Sequence, residues 1–118
     1  MSLRLPKHLH DALTACERAA EFCAGLTLAD YVRNRMAHSA VERQLEILGE
    51  ACRRALDEDP GLRERIPGTA LAVSLRNRII HGYDRVEHEI LFDTVSRDLP
   101  SMRVALRQEL KPFASDEG

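Results

Sequence analysis

"VERQLEILGEACRRA", residues 41–55, is the stretch whose reading decides the fold. Val41, Leu45, Leu48, Cys52 and Ala55 recur at steps of 4, 3, 4 and 3. That spacing lines up side chains on one face of a helix with about 3.6 residues per turn. Glu42, Arg43, Glu46, Glu50, Arg53 and Arg54 fall off the stripe and leave the remaining surface polar. The pattern predicts a long amphipathic helix over about residues 33 to 57. Gly49, in its middle, costs about 1 kcal/mol relative to alanine. It marks either a close approach by a neighbouring helix or a tolerated defect, and the spacing alone does not choose between them.

Before this helix, Pro6 can open another at its first turn, where a missing amide is harmless. Leu9, Leu13, Cys16, Ala20 and Cys23 then supply its apolar stripe, and Gly25 ends it. Thr27 can cap a short segment around "LADYV", with Asp30 as the acidic partner of a capping box. After the long helix, "DEDPGLRERIPG" (residues 57–68) is a turn-rich connector with room for one helical turn. Thr69 or Gly68 caps a helix running to about His81. Val86 to Arg97 reads as a further helix with Ile90, Leu91, Val95 and Leu99 inward, and Pro100 kinks or restarts it. The tail "ASDEG" reads as frayed. With no repeats, strand alternation or low-complexity tract, the expectation is one all-α domain over residues 1–118, a compact bundle of four to five helices.

Composition narrows the function classes. The 118-residue chain can bury a core without staples, and with aromatics at only 4% that core must be aliphatic. Acids exceed bases by two, so no global positive field draws in nucleic acid and any RNA-binding patch must be local. Between Arg53 and Arg85 seven arginines face five acids, so clustering in space or doubling in a dimer would have to make it. Cys16, Cys23 and Cys52 form no CxxC pair and read as small core side chains. No leader-like or eighteen-residue apolar run appears, so the expected setting is soluble and cytoplasmic, with no membrane partner. His8 and His10 project to different sides of a helix and do not suggest a metal pair. His38 and His88 read as exposed, with no visible partner. No metal site and no cofactor are expected.

Residues 76–86, "RNRIIHGYDRV", carry the candidate chemistry. In a purely structural reading, Gly82 closes the helix, His81 meets the negative end of its dipole, and Arg76 and Arg78 are solvated. In a chemical reading, Arg76 and His81, five residues apart, lie about 140° apart around the axis. They cannot share one narrow pocket but can flank one helix edge. Packed against its copy across a twofold axis, that edge would bring two arginines and two histidines into one cleft. Asn77, four residues before His81, shares its face and can orient the imidazole. A histidine titrating near about pH 6.5 can take a ribose 2′-hydroxyl proton or protonate a leaving 5′-oxygen. An always-charged guanidinium can stabilise the phosphoryl transition state.

From about Ala40 to Met102 the chain resembles the HepT-like branch of the HEPN superfamily. "AVERQLEILGEA" is similar to that family's long second helix, and "RIPG", "LRNRIIHGY" and "SRDLPSM" follow in the family's order. Arg76, His81 and Tyr83 match its Arg-x4-His-x-Tyr motif. Two tryptophans usual in the family are Gly68 and Phe92 here, a difference of packing rather than of motif. The resemblance implies a homodimeric toxin of a type VII-like HepT/MntA toxin-antitoxin pair. It would be a metal-independent endoribonuclease with Arg76 and His81 catalytic, leaving a 2′,3′-cyclic phosphate. Its partner would be a minimal nucleotidyltransferase antitoxin that transfers AMP to Tyr83. Glu50, in "GEA", resembles a position that supports the active-site arginine, although a solvated helix face explains it as well. Arg78 and Arg85 are the expected RNA contacts, on tRNA or mRNA. A rival from another class is a non-catalytic helical module that scaffolds or presents substrate to the nucleotidyltransferase.

Overall fold

The computed structural model describes residues 4–81 and 87–114. Its elements are α1 (Arg4–Cys23), α2 (Leu28–Arg33), α3 (Arg35–Glu58), α4 (Leu62–Arg65), α5 (Thr69–Ile80), α6 (His88–Asp93) and α7 (Leu99–Ala114). A π-helical turn, Thr94–Asp98, joins the last two. No strand occurs among the described residues, and the domain is the all-α bundle that the apolar spacing predicts. α3 is its axis, flanked by α1 and α5, with α7 laid against α1.

The helix boundaries have local causes. α1 gives way to Gly25, whose φ of 78° is a left-handed conformation that glycine reaches without steric cost. Thr27 and Asp30 form the expected capping box. The Thr27 hydroxyl accepts from the Asp30 amide at 3.1 Å, and the Asp30 carboxylate accepts from the Thr27 amide at 3.2 Å. The long helix begins later than the predicted residue 33, because Asn34 sits at φ −98°, ψ 96° and interrupts it. Its side chain accepts from the Ala37 amide at 3.0 Å and caps α3, the competition for backbone groups at which asparagine is effective. Pro100 acts one residue earlier than a simple restart. The Leu99 amide bonds the Thr94 carbonyl five residues back. This widens the helix where the proline ring would press on the preceding turn.

The α3 stripe is the core. Val41, Leu45, Leu48, Cys52 and Ala55 are each at most 2% exposed. Burying a leucine or valine contributes about 2 kcal/mol, so the stripe outweighs the helix propensity lost at Gly49. α1 adds Leu9, Leu13, Cys16 and Cys23, with Ala19 rather than Ala20 fully inside. The three thiols are free and buried, and burial pushes that of Cys16 up to about 12. They fill space and are not poised as nucleophiles. Leu91, Val95, Leu99, Met102 and Leu106 close the bundle from the C-terminal side.

Gly49 is a crossing point, not a defect. A methyl group there would fall 2.3 Å from Arg76 Cβ and 2.7 Å from the Ala72 carbonyl oxygen. Gly49→Ala should therefore destabilise the fold despite gaining about 1 kcal/mol of helix propensity. Overpacking typically costs about 1–3 kcal/mol, and this overlap with backbone belongs at or above the upper end. A lowered urea midpoint is the expected readout, and a raised one would contradict the close approach.

Candidate active site

The bare backbone at Gly49 lets α5 lie directly on α3, and Arg76 is the residue that profits. Its side chain leaves α5 beside the crossing and enters a groove among α1, α3 and α5 with His8, Arg43, Glu50, Arg54 and Ile80. It remains 25% exposed. Arg76 Nη1 donates to Asn77 Oδ1 at 3.1 Å, while Nη2 lies 3.7 Å from Glu50 Oε1. Of the five N–H donors of the guanidinium, Nε is shut off from solvent without a partner, and the Nη hydrogens not used by Asn77 and Glu50 are left for a ligand.

Glu50 is the hub of this end of the groove. Arg53 grips it with two bonds, from Nε at 2.9 Å and Nη2 at 3.1 Å, and Arg54 Nε adds a third at 3.3 Å. The Arg53 hydrogen bonds foremost, then the charges of Arg53 and Arg76 and the Arg54 bond, hold its carboxyl down at about 2. Glu50 is thus neither a plainly solvated carboxylate nor a private partner of Arg76; one anion is shared by three cations. The groove as a whole mixes Arg43, Arg54 and Arg76 with Asp11, Glu46 and Glu50. Within one chain it is balanced in charge, not a basic cleft.

His81 is placed elsewhere. It terminates α5 at φ −76°, ψ 4°, with its amide on the Asn77 carbonyl at 3.1 Å. Its side chain is exposed and is not among those lining the Arg76 groove. One chain therefore does not bring Arg76 and His81 together, as the offset of about 140° requires. The Asn77 side chain is engaged by Arg76, and among the described residues it makes no hydrogen bond to the His81 imidazole. Arg78 is exposed near the end of the same helix. Tyr83, Arg85 and Gly82 lie outside the described residues.

Of the remaining histidines, the α1 pair agrees with the sequence and the His38–His88 pair departs from it. His8 is 8% exposed, on the inner side of α1, whereas His10 is exposed. His38 and His88, expected to be exposed and unpartnered, are instead packed against each other with ring centroids 4.2 Å apart, beside Glu42. Folding α6 onto α3 causes this, and only the His38–Glu42 spacing of one helix turn was visible beforehand.

The all-helical fold, with Arg76 on α5 and His81 capping its C-terminus, fits a HEPN-like domain. The sequence profile described as "Ribonuclease HepT-like" matches residues 12–109, and the chain belongs to this family. It is 32% identical over 96 residues to "Probable ribonuclease HepT" of Thermococcus cleftensis, covering 81% of this chain and 86% of that one. It is 33% identical over 97 residues to "Putative RNase MJ1380" of Methanocaldococcus jannaschii, covering 80% and 86%. No solved structure matches the chain. Among the described residues no helix is long and apolar enough to cross a membrane.

The electrostatics of Glu50 give a pH signature. Its folded carboxyl titrates below the ordinary 4.5, so its stabilising contribution is complete above about pH 5 and is lost as pH falls toward 2. The stability difference between the parent and Glu50→Gln, measured by urea denaturation, should be largest near neutrality and shrink across that window. A difference that stays constant down to pH 2.5 would show that the arginine knot does not hold the charge.

Proposed function

We propose that the chain is a metal-independent endoribonuclease whose active site is composite, assembled from Arg76 and His81 across a homodimer. The observation that carries this reading is their separation. Arg76 sits in a groove against α3 with donors to spare, while His81 stands exposed around the end of the same helix. α5 also supports an interface. Leu71 and Ile80 are 41% and 46% exposed on a helix that carries apolar residues on several sides, a distribution suited to burial against a second surface. The names of the relatives favour RNA as the substrate.

In this site His81 takes the proton of a ribose 2′-hydroxyl, and the oxygen attacks the adjacent phosphorus. Arg76, backed by Glu50, stabilises the negative charge on the phosphoryl oxygens in the transition state. The leaving 5′-oxygen takes a proton from a His81 imidazolium of the composite site, and the products are a 2′,3′-cyclic phosphate and a 5′-hydroxyl. Asn77, bonded to Arg76, acts as a positioning residue for the guanidinium. Arg78 and Arg85 contribute phosphate contacts, doubled by the twofold axis.

The same reading makes the protein the toxin of a toxin-antitoxin pair in the cytoplasm. A minimal nucleotidyltransferase partner transfers AMP from a nucleoside triphosphate to the Tyr83 hydroxyl and releases pyrophosphate. Each AMP unit adds a negative phosphate two residues from His81, which repels RNA and occupies the cleft.

One assay tests catalysis and its control together. With EDTA present, the unmodified dimer should cleave RNA but not DNA. Arg76→Ala and His81→Ala should each lose about two to four orders of magnitude while remaining folded. Protein co-expressed with the nucleotidyltransferase, and heavier by whole AMP units in intact mass, should be inactive, whereas Tyr83→Phe should escape both mass change and inhibition. Cleavage that survives the double substitution, or no cleavage by the parent, would favour a non-catalytic module that scaffolds or presents substrate to the nucleotidyltransferase.

A further inference from the structure

His38 and Glu42 stand one turn apart on α3 and meet His88, the first residue of α6. His38 Nδ1 is 3.4 Å from Glu42 Oε2, and His88 Nδ1 is 4.0 Å from the same oxygen. The side chains are only 16% and 28% exposed, and both Nδ1 atoms are shut off from solvent with no hydrogen-bond partner among the described residues. Tyr31, fully buried, stands edge-on to the two imidazoles at 6.1 and 6.0 Å, with Phe92 behind it at 5.2 Å. Two imidazoles thus turn the same nitrogen toward one carboxylate oxygen inside an aromatic wall.

As a plain polar cluster this arrangement uses its polar atoms poorly: one protonated ring could pair with Glu42, but both Nδ1 atoms are left without a hydrogen bond. Hydrogens on both Nδ1 atoms would complete bonds to Oε2, and neither bond is made. Bare nitrogens would aim two lone pairs at a carboxylate, and two imidazolium rings would stack like charges 4.2 Å apart. A cation among the three ligand atoms turns the lone-pair repulsion into attraction.

We propose that His38, Glu42 and His88 bind one divalent transition cation, with Zn2+ the closest chemical match. Two imidazole nitrogens and one carboxylate oxygen are a ligand set that zinc accepts, with a fourth position for solvent. The imidazoles argue against magnesium and calcium, which prefer oxygen. Tetrahedral bonds of about 2.1 Å place ligand atoms about 3.4 Å apart. The His38–Glu42 spacing of 3.4 Å already fits, and the 4.0 Å spacing of His88 needs a small side-chain rotation. The aromatic wall limits solvent access and strengthens the site's electrostatics.

The site is separate from the Arg76 groove. Glu42 and Glu50 are eight residues apart on α3, about 12 Å of helix rise. Its effect is mechanical: the cation ties the start of α6 to α3, anchoring the chain seven residues after His81. RNA cleavage without metal and a structural metal are therefore compatible, and each can fail without the other.

The test uses tag-free protein, stripped with chelator, dialysed, and titrated with Zn2+ alone. One equivalent should bind per chain and raise the thermal midpoint. His38→Gln and His88→Gln should each weaken binding about a hundredfold or more and remove the thermal shift, while His10→Gln on the exposed side of α1 should match the parent. If a variant loses its helical circular dichroism, long-range 1H–15N spectra of the parent decide. Zinc should move the Nδ1 resonances of His38 and His88 and leave those of His8, His10 and His81 in place. No saturable binding by the parent, undiminished binding by folded His38→Gln and His88→Gln, or zinc shifts confined to other histidines would overturn the site.

Discussion

The candidate site hangs from one close approach, the backbone of α3 at Gly49 against Ala72 and Arg76 of α5. A side chain at Gly49 would collide with the carbonyl oxygen of Ala72 and with the stem of Arg76, so the glycine sets how near the two helices come. That spacing directs the Arg76 guanidinium into the groove, within reach of Glu50 one residue further along α3. Helix propensity argues against glycine here by about 1 kcal/mol. The cost is small beside the buried stripe of Val41, Leu45, Leu48, Cys52 and Ala55, which keeps α3 helical without it. The stripe makes the scaffold and the glycine places the function.

Glu50 then decides what kind of arginine Arg76 is. Arg53 and Arg54 carry the hydrogen bonds to the carboxylate, and Arg76 makes the longer contact. Arg76 is therefore steered without being neutralised, since the anion is already largely satisfied by its neighbours on α3. A guanidinium held this way keeps its charge and its outer Nη donors for an incoming phosphate. The groove is balanced in charge within one chain, so in the proposed composite site the surplus of positive charge would come from the second chain.

Local features were legible in the sequence and contacts between distant segments were not. The α3 stripe, the Thr27–Asp30 box, the single helical turn in the connector and the inward set Leu91, Val95 and Leu99 each follow from spacing within about a dozen residues. Asn34 could have been recognised as a cap, but it competes with an apolar pattern that runs past it on both sides. The π turn before Pro100 depends on how the chain relieves one steric clash, for which composition gives no signal. Of the site, the angular separation of Arg76 and His81 was calculable from helix geometry, and Gly49 was flagged as an anomaly with two readings. The sharing of Glu50 by Arg53 and Arg54 was present in the i, i+3 and i, i+4 spacing, although the sequence suggested only a solvated helix face or a support for Arg76. The meeting of His88 with His38 and Glu42, across about fifty residues of chain, needed the fold.

In the proposed site one catalytic centre draws Arg76 from one chain and His81 from the other. Co-expressing Arg76→Ala with His81→Ala and assaying RNA cleavage in EDTA tests it most directly. If the centre is shared between chains, each heterodimer regains one intact site of two. Random assortment then restores about a quarter of the parent activity, although either variant alone is nearly silent. If native mass spectrometry finds heterodimers and the mixture cleaves no faster than the single variants, the shared centre is contradicted.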